Sequence, residues 1–135
     1  LYQQQAFVNA AISWNYKTNG CANLKVKRIN DKFDKNAIIV TPVSENNPNV
    51  IYLDNFGGYT LAYYSKREYI PTIFVVNSRI ENEIVNHVAL HEVGHVLLIN
   101  HIKDKKSLMS PSINKGKPFI GYYDLKEFYK KYSCL

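Results

Sequence analysis

Apolar residues recur with the spacing of an α-helix in three segments, residues 3–15, 81–98 and 123–132. The first segment is followed by Asn19 and Gly20, a typical helix stop. The second contains no proline and a single glycine, Gly94, which favours a long and largely buried helix. The pattern therefore predicts three helices.

Five shorter runs between the first two helices have the character of β-strands. They are separated by glycine, proline, asparagine and aspartate, which favour turns. The runs cover residues 24–30, 37–43, 50–54, 60–65 and 72–77. We expect an α+β fold with a twisted mixed sheet of four to five strands, including an antiparallel edge strand, packed against the first two helices. With 135 residues and 46% apolar content, residues 1–135 are predicted to form a single domain.

The net charge of +6 arises from 17 basic and 11 acidic residues. Basic residues cluster at residues 25–28, 103–106 and 126–131 without the interleaved aromatic residues that stack nucleic-acid bases. We interpret the clusters as solvated faces, with an anionic partner such as nucleic acid or polysaccharide as the alternative. We therefore predict no nucleic-acid partner. No apolar run reaches the roughly 18–20 residues of a membrane span.

The chain contains two cysteines, Cys21 and Cys134, too few and too far apart for a thiolate zinc site. A disulfide between them is favoured over free thiols. A disulfide would suit a secreted protein, and we expect an extracellular monomer.

Residues 91–101 read HEVGHVLLINH and hold histidines and a glutamate at the spacing of a metal site. His91 and His95 are four residues apart, so on a helix both imidazoles can face one ion. Glu92 is rotated about 100° from His91, so it reaches the water that the ion holds more easily than the ion itself. Such a carboxylate suits the general base of a zinc hydrolase with one catalytic ion.

His101 is the obvious third ligand. On an unbroken helix it would lie about 280° around from His91 and point away, so the helix must end between His95 and His101. In the alternatives, His101 is an exposed loop histidine, or Glu127 on the last helix is the third ligand.

The segment HEVGHVLLINH resembles the long zinc signature of the metzincin metallopeptidases, His-Glu-x-x-His-x-x-Gly-x-x-His. Residues 107–111, SLMSP, resemble the Met-turn of the same clan, in which a methionine, here Met109, packs beneath the zinc site. The closest branch is the matrixins, the matrix metalloproteinase type. The resemblance implies a zincin-like domain and a zinc-dependent endopeptidase that acts on proteins or peptides.

The resemblance also implies substrate contacts and a brace. The segment that begins at Leu61 resembles the edge strand to which the family binds substrate, and His87 matches a position that lines the pocket for the residue after the scissile bond. A core or surface histidine is the alternative for His87. Asp124 matches an aspartate that braces the Met-turn. The implied substrate-binding residues are His87, Leu61, Ala62, Tyr63 and Pro111.

The chain departs from the signature at Leu98, which replaces a glycine at a position that often needs positive φ. We expect either that the helix continues and breaks near Asn100, which tolerates positive φ better, or that Leu98 is strained. With four histidines in all, the second zinc site of matrixins is expected to be absent. Structural calcium is possible but not indicated. A metal-binding module without turnover is the alternative function.

Overall fold

The computed structural model describes residues 2–26, 39–43, 54–56, 59–67, 70–76, 82–112 and 118–134. Side chains are described within residues 5–26, 84–112 and 118–134. No helix in the described part of the chain is long and apolar enough to cross a membrane.

The three predicted helices are confirmed, with small shifts at their ends. They are α1 (Tyr2–Lys17), α2 (Asn82–Val96) and α3 (Tyr122–Lys131). The predicted stop after α1 is present: Asn19 and Gly20 have φ values of 51° and 81°, and the Gly20 N–H donates to the Asn15 carbonyl at 2.7 Å. This closing pattern satisfies carbonyls that the helix end would leave exposed.

The fold class predicted from the sequence requires a correction. Where side chains are described, the molecule is helical, and its buried apolar residues come from α1, α2, α3 and the loops within residues 97–120, without a strand or sheet. The prediction of an α+β fold with a mixed sheet of four to five strands as a layer of this core is therefore wrong for this part. The physical reason is that α1 and α2 bury their apolar faces against each other, with small side chains such as Ala10 and Ala89 in the core.

Four further segments, described by their backbone alone, pair as strands. They are β1 (Ile39–Val43), β2 (Asp54–Phe56), β3 (Tyr59–Arg67) and β4 (Ile70–Val76), in the spatial order β1-β4-β3-β2. β1 runs parallel to β4, and the other two pairs are antiparallel. β3 is the strand that approaches α2.

The strand predicted for residues 24–30 is not found at its described end, since residues 24–26 belong to no strand. The Asn15 side chain explains this. Its Oδ1 accepts the Leu24 N–H and its Nδ2 donates to the Leu24 carbonyl, both at 2.8 Å, so the groups a strand would pair are used by α1. Residues 27–30, 37–38 and 50–53 of the predicted strands lie outside the described residues.

Trp14 joins the three helices at the centre of the core. Its side chain is fully buried, and its indole N–H donates to the Leu90 carbonyl of α2 at 3.0 Å. Its ring lies 6.3 Å from that of Phe128 on α3, measured between centroids. Cys21 and Cys134 form a disulfide that ties the end of the chain to the segment after α1. The core thus fixes α2, the helix that carries the histidines.

Candidate metal centre

α2 ends in a turn that reverses the chain directly after His95. The Ile99 N–H donates to the Gly94 carbonyl at 3.1 Å and the Leu98 N–H to the His95 carbonyl at 2.9 Å, the two bonds of a Schellman motif. That motif needs a residue in the left-handed conformation just after the helix end. Leu98 takes this conformation, with a φ of 65°. Of the two sequence expectations, strain at Leu98 is therefore correct, and a longer helix that breaks near Asn100 is wrong.

The reversal brings His101 back to the histidines of α2. The Nε2 atoms of His91 and His95 are 3.0 Å apart, and those of His95 and His101 are 3.2 Å apart. Ligands about 2.0–2.1 Å from a tetrahedral zinc ion lie about 3.3 Å from each other, so these separations suit one ion. The three residues form a group that could hold a metal ion.

Backbone carbonyls fix the other nitrogen of two of these rings. His91 Nδ1 lies 2.8 Å from the Leu108 carbonyl, and His95 Nδ1 lies 2.8 Å from the Ile99 carbonyl. A carbonyl only accepts, so each Nδ1 must carry the proton and donate it, which leaves Nε2 with a lone pair. Converging lone pairs repel one another unless a cation lies between them, so the donor set fits a metal such as zinc.

The cluster opens towards solvent on one side. His91 is buried, His95 is partly buried and His101 is exposed. Three protein ligands with an accessible side are typical of a catalytic zinc site, which keeps a fourth position for water or substrate. Among the described residues, no fourth histidine, cysteine, aspartate or glutamate joins the group.

Glu92 and His87 lie on α2 beside the cluster. Glu92 directly follows His91 and is fully buried. His87 lies one turn before His91 and is 5% exposed. Burial, together with the nearby His91, lowers the pKa of His87 to about 4, whereas the Asp124 carboxylate acts in the opposite direction. His87 is therefore neutral near pH 7.

Residues 107–110 form a turn that is held by Asp124 of α3. Asp124 is fully buried, and its Oδ1 accepts from the Ser107 hydroxyl at 2.6 Å and from the Met109 N–H at 3.1 Å. Its Oδ2 accepts the Gly121 N–H at 2.9 Å and, more weakly, the Leu108 N–H at 3.3 Å. Since the Leu108 carbonyl lies 2.8 Å from His91 Nδ1, this carboxylate supports the orientation of the His91 ring through the turn.

Met109 is fully buried in this turn and packs against α2 at Gly94. A Cβ added to Gly94 would lie 3.0 Å from Met109 Cε and 3.2 Å from Trp14 Cζ2, and would also meet the Met109 sulfur. Only glycine leaves room for the methionine at this point of the helix.

The remaining predicted residues are spread over other parts of the structure. Leu61 lies in the part of β3 that runs beside β2, and Ala62 pairs with both β2 and β4, so this part of β3 is not the free edge expected for substrate. From Tyr63 onward, β3 pairs only with β4 among the described residues. Pro111 is exposed directly after the turn of residues 107–110. Glu127 is not in the metal group and instead pairs with Lys130, at 2.9 Å between Oε1 and Nζ.

Sequence reasoning missed the two carbonyls that orient the histidines and the role of Gly94. Any residue supplies a backbone carbonyl, so nothing in the side chains of Leu108 and Ile99 could reveal their function. Gly94 did carry a signal, because glycine inside an otherwise glycine-free helix costs about 1 kcal/mol and implies a packing reason.

The site indicates a class of protein, because three histidines that could hold one metal ion form the kind of site that metallopeptidases use. The matrixin family model matches residues 14–128. The chain belongs to the matrixin family, whose members are peptidases that depend on zinc, and the family resemblance seen in the sequence is confirmed. Searches among curated proteins and among solved structures returned no match.

Proposed function

We propose that the chain is a zinc-dependent endopeptidase that hydrolyses peptide bonds in proteins. The observation that carries the proposal is the convergence of three Nε2 atoms, two of them on rings whose Nδ1 protons are held by carbonyls. Membership of the matrixin family supports peptidase activity. The partly exposed cluster supports access for a substrate.

In this proposal His91, His95 and His101 hold the zinc ion. Bound zinc would polarise the peptide carbonyl and lower the pKa of a water towards about 7. Glu92 would act as the general base and accept a proton from the water whose oxygen attacks the carbonyl carbon. When the carbon–nitrogen bond breaks, Glu92 passes the proton to the leaving nitrogen.

Met109 acts in the proposal as the methionine of a Met-turn, a hydrophobic floor below the ligands that is fitted to Gly94. His87 lines the pocket for the residue after the scissile bond and, being neutral, gives that pocket a polar rather than a charged wall. Leu61, Ala62, Tyr63 and Pro111 remain predicted substrate contacts. The disulfide supports a secreted location, because such bonds persist in oxidising compartments.

Cleavage of casein or gelatin by the purified, zinc-loaded protein tests the activity. We expect cleavage that a chelator abolishes and zinc restores, and a loss of roughly 10²–10⁴-fold in Glu92→Gln. Glu92→Gln should still bind one zinc ion. A zinc-loaded protein that cleaves no protein would instead be a binding module without turnover, whereas full activity in Glu92→Gln would refute the role of Glu92.

Zinc retention tests the third ligand. His101→Ala should lose zinc during dialysis against a weak chelator, whereas Glu127→Ala should keep it, since Glu127 pairs with Lys130 and is not in the metal group. The reverse result would establish a glutamate as the third ligand.

A further inference from the structure

The loop between His101 and the turn of residues 107–110 carries an excess of positive charge. Lys103, Lys105 and Lys106 are exposed in it. The one acid of the loop, Asp104, accepts the Lys106 backbone N–H at 2.8 Å through Oδ1. Within the described part of the chain, no ion pair neutralises these three ammonium groups. We call residues 102–106 the basic loop.

The residues on either side of the basic loop contact the histidine cluster. At one end His101 Nε2 lies 3.2 Å from His95 Nε2, and at the other the Leu108 carbonyl lies 2.8 Å from His91 Nδ1. The Ile102 N–H donates to the Met109 carbonyl at 2.9 Å and closes the loop. Consecutive Cα atoms are about 3.8 Å apart. Each lysine Cα of the loop therefore lies within about 11 Å of the nearer of two Cα atoms, those of His101 and Leu108.

We infer that the basic loop makes this site prefer peptides with acidic residues close to the scissile bond. The inference rests on the proposed function and names its substrate class. The loop has a net charge of about +2, because Asp104 offsets one of the three lysines. At about 9 Å in water this net charge favours an added negative charge roughly fivefold at low ionic strength. At 0.15 M salt the screening length is about 8 Å, so the preference falls as salt rises.

Paired fluorogenic peptides that differ only by Glu or Gln beside the scissile bond provide the test. The zinc-loaded protein should cleave the Glu peptide with a kcat/KM roughly fivefold higher than the Gln peptide in about 20 mM salt, and with a ratio near one in about 0.5 M salt. Replacing Lys103, Lys105 and Lys106 with Ser leaves only the charge of Asp104, so the ratio should fall to one or below at low salt and stay near one at high salt. Zinc content and thermal midpoint check that this variant is folded.

The matched control replaces Lys126, Lys130 and Lys131 of α3 with Ser, which removes the same charge from a helix outside the loop. This control should keep the fivefold ratio. A ratio near one in the wild type, or an equal loss in both triple variants, would overturn the inference. Absence of all cleavage would count against the proposed function, and the inference would then be decided by fluorescence anisotropy of the same two peptides on the zinc-loaded Glu92→Gln variant. Equal affinity for both peptides at low salt would overturn it there too.

Discussion

Leu98 combines an unfavourable backbone conformation with an exposed side chain. Its φ of 65° lies in the left-handed region, which costs a residue with a Cβ about 1–2 kcal/mol, and 53% of the residue is exposed. The Schellman turn at this point directs the chain from α2 to His101. The protein therefore accepts strain at the residue that turns the chain towards the metal centre.

Replacing Leu98 with glycine should stabilise the protein by about 1 kcal/mol, because the relief of strain exceeds the added entropy of the unfolded chain. Urea denaturation of the zinc-loaded protein measures the change. Leu98→Ala is the matched control: it also removes the exposed side chain but keeps a Cβ, so it should show no gain. An equal gain in both variants would mean that the side chain, not the backbone, is the unfavourable feature.

Gly94→Ala should destabilise the protein by up to about 2 kcal/mol. Overpacking against Met109 costs about 1–3 kcal/mol, whereas the higher helix propensity of alanine returns about 1 kcal/mol. A double-mutant cycle with Met109→Ala tests the cause, because that change removes both methionine atoms that the new Cβ would meet. In the Met109→Ala background, Gly94→Ala should lower the unfolding free energy less than it does in the wild type. Strictly additive effects would mean that the clash involves other residues.

At the residue scale, the sequence predicted which side chains come together, but it did not predict the backbone carbonyls that orient them. The spacing of His91, Glu92 and His95 follows from one helix, and the approach of His101 required only that the helix end before it. The orientation of the rings depends on the carbonyls of Ile99 and Leu108, which are present in every residue type. The tertiary path of the chain, not its composition, decides which carbonyl meets which ring.

α3 supports the metal centre through a single buried carboxylate. Asp124→Asn keeps the shape of the side chain but replaces one acceptor oxygen with a donor. Whichever way the amide turns, at least one buried backbone N–H of the turn or of Gly121 then faces a donor. We expect a loss of about 1–3 kcal/mol in unfolding free energy, together with weaker zinc binding through the displaced Leu108 carbonyl.

Glu127→Gln is the control for this prediction. It makes the same chemical change on the same helix at an exposed ion pair, so its effect on stability should stay within about 0.5 kcal/mol. Chemical denaturation and zinc titration measure both variants. If Asp124→Asn were as mild as Glu127→Gln, the turn would be held by its own backbone bonds and not by α3.

At the element scale, local periodicity predicted the helices well, because each buries a face against its neighbours. Strand character in residues 24–26 was misleading, since the amide of Asn15 takes both backbone groups of Leu24. The prediction of an α+β core is wrong for the residues whose side chains are described, since their buried apolar members come from helices and loops. Periodicity shows which residues can face a core, but the pairing of α1 with α2 decides which elements form the described core.

Over the whole molecule, a disulfide and a hydrogen bond fasten the segment after α3 to the residues that follow α1 and α2. The Cys21–Cys134 disulfide spans 113 residues and joins the segment after α1 to the one after α3. The Tyr132 hydroxyl donates to the Leu97 carbonyl at 2.8 Å, next to the turn that presents His101. The end of the chain therefore stabilises the region in which the metal centre lies.

Reducing the disulfide should lower the unfolding free energy by about 3–5 kcal/mol, because the unfolded chain regains the freedom that a long closed loop removes. Denaturation with and without a reductant that does not bind zinc measures this loss in the wild type. The Cys21→Ser, Cys134→Ser double variant should start at the lower stability and show no further change on addition of reductant. If reductant destabilised that variant as strongly as the wild type, the loss would come from an effect of the reductant on the metal centre, and the disulfide would contribute little to the fold.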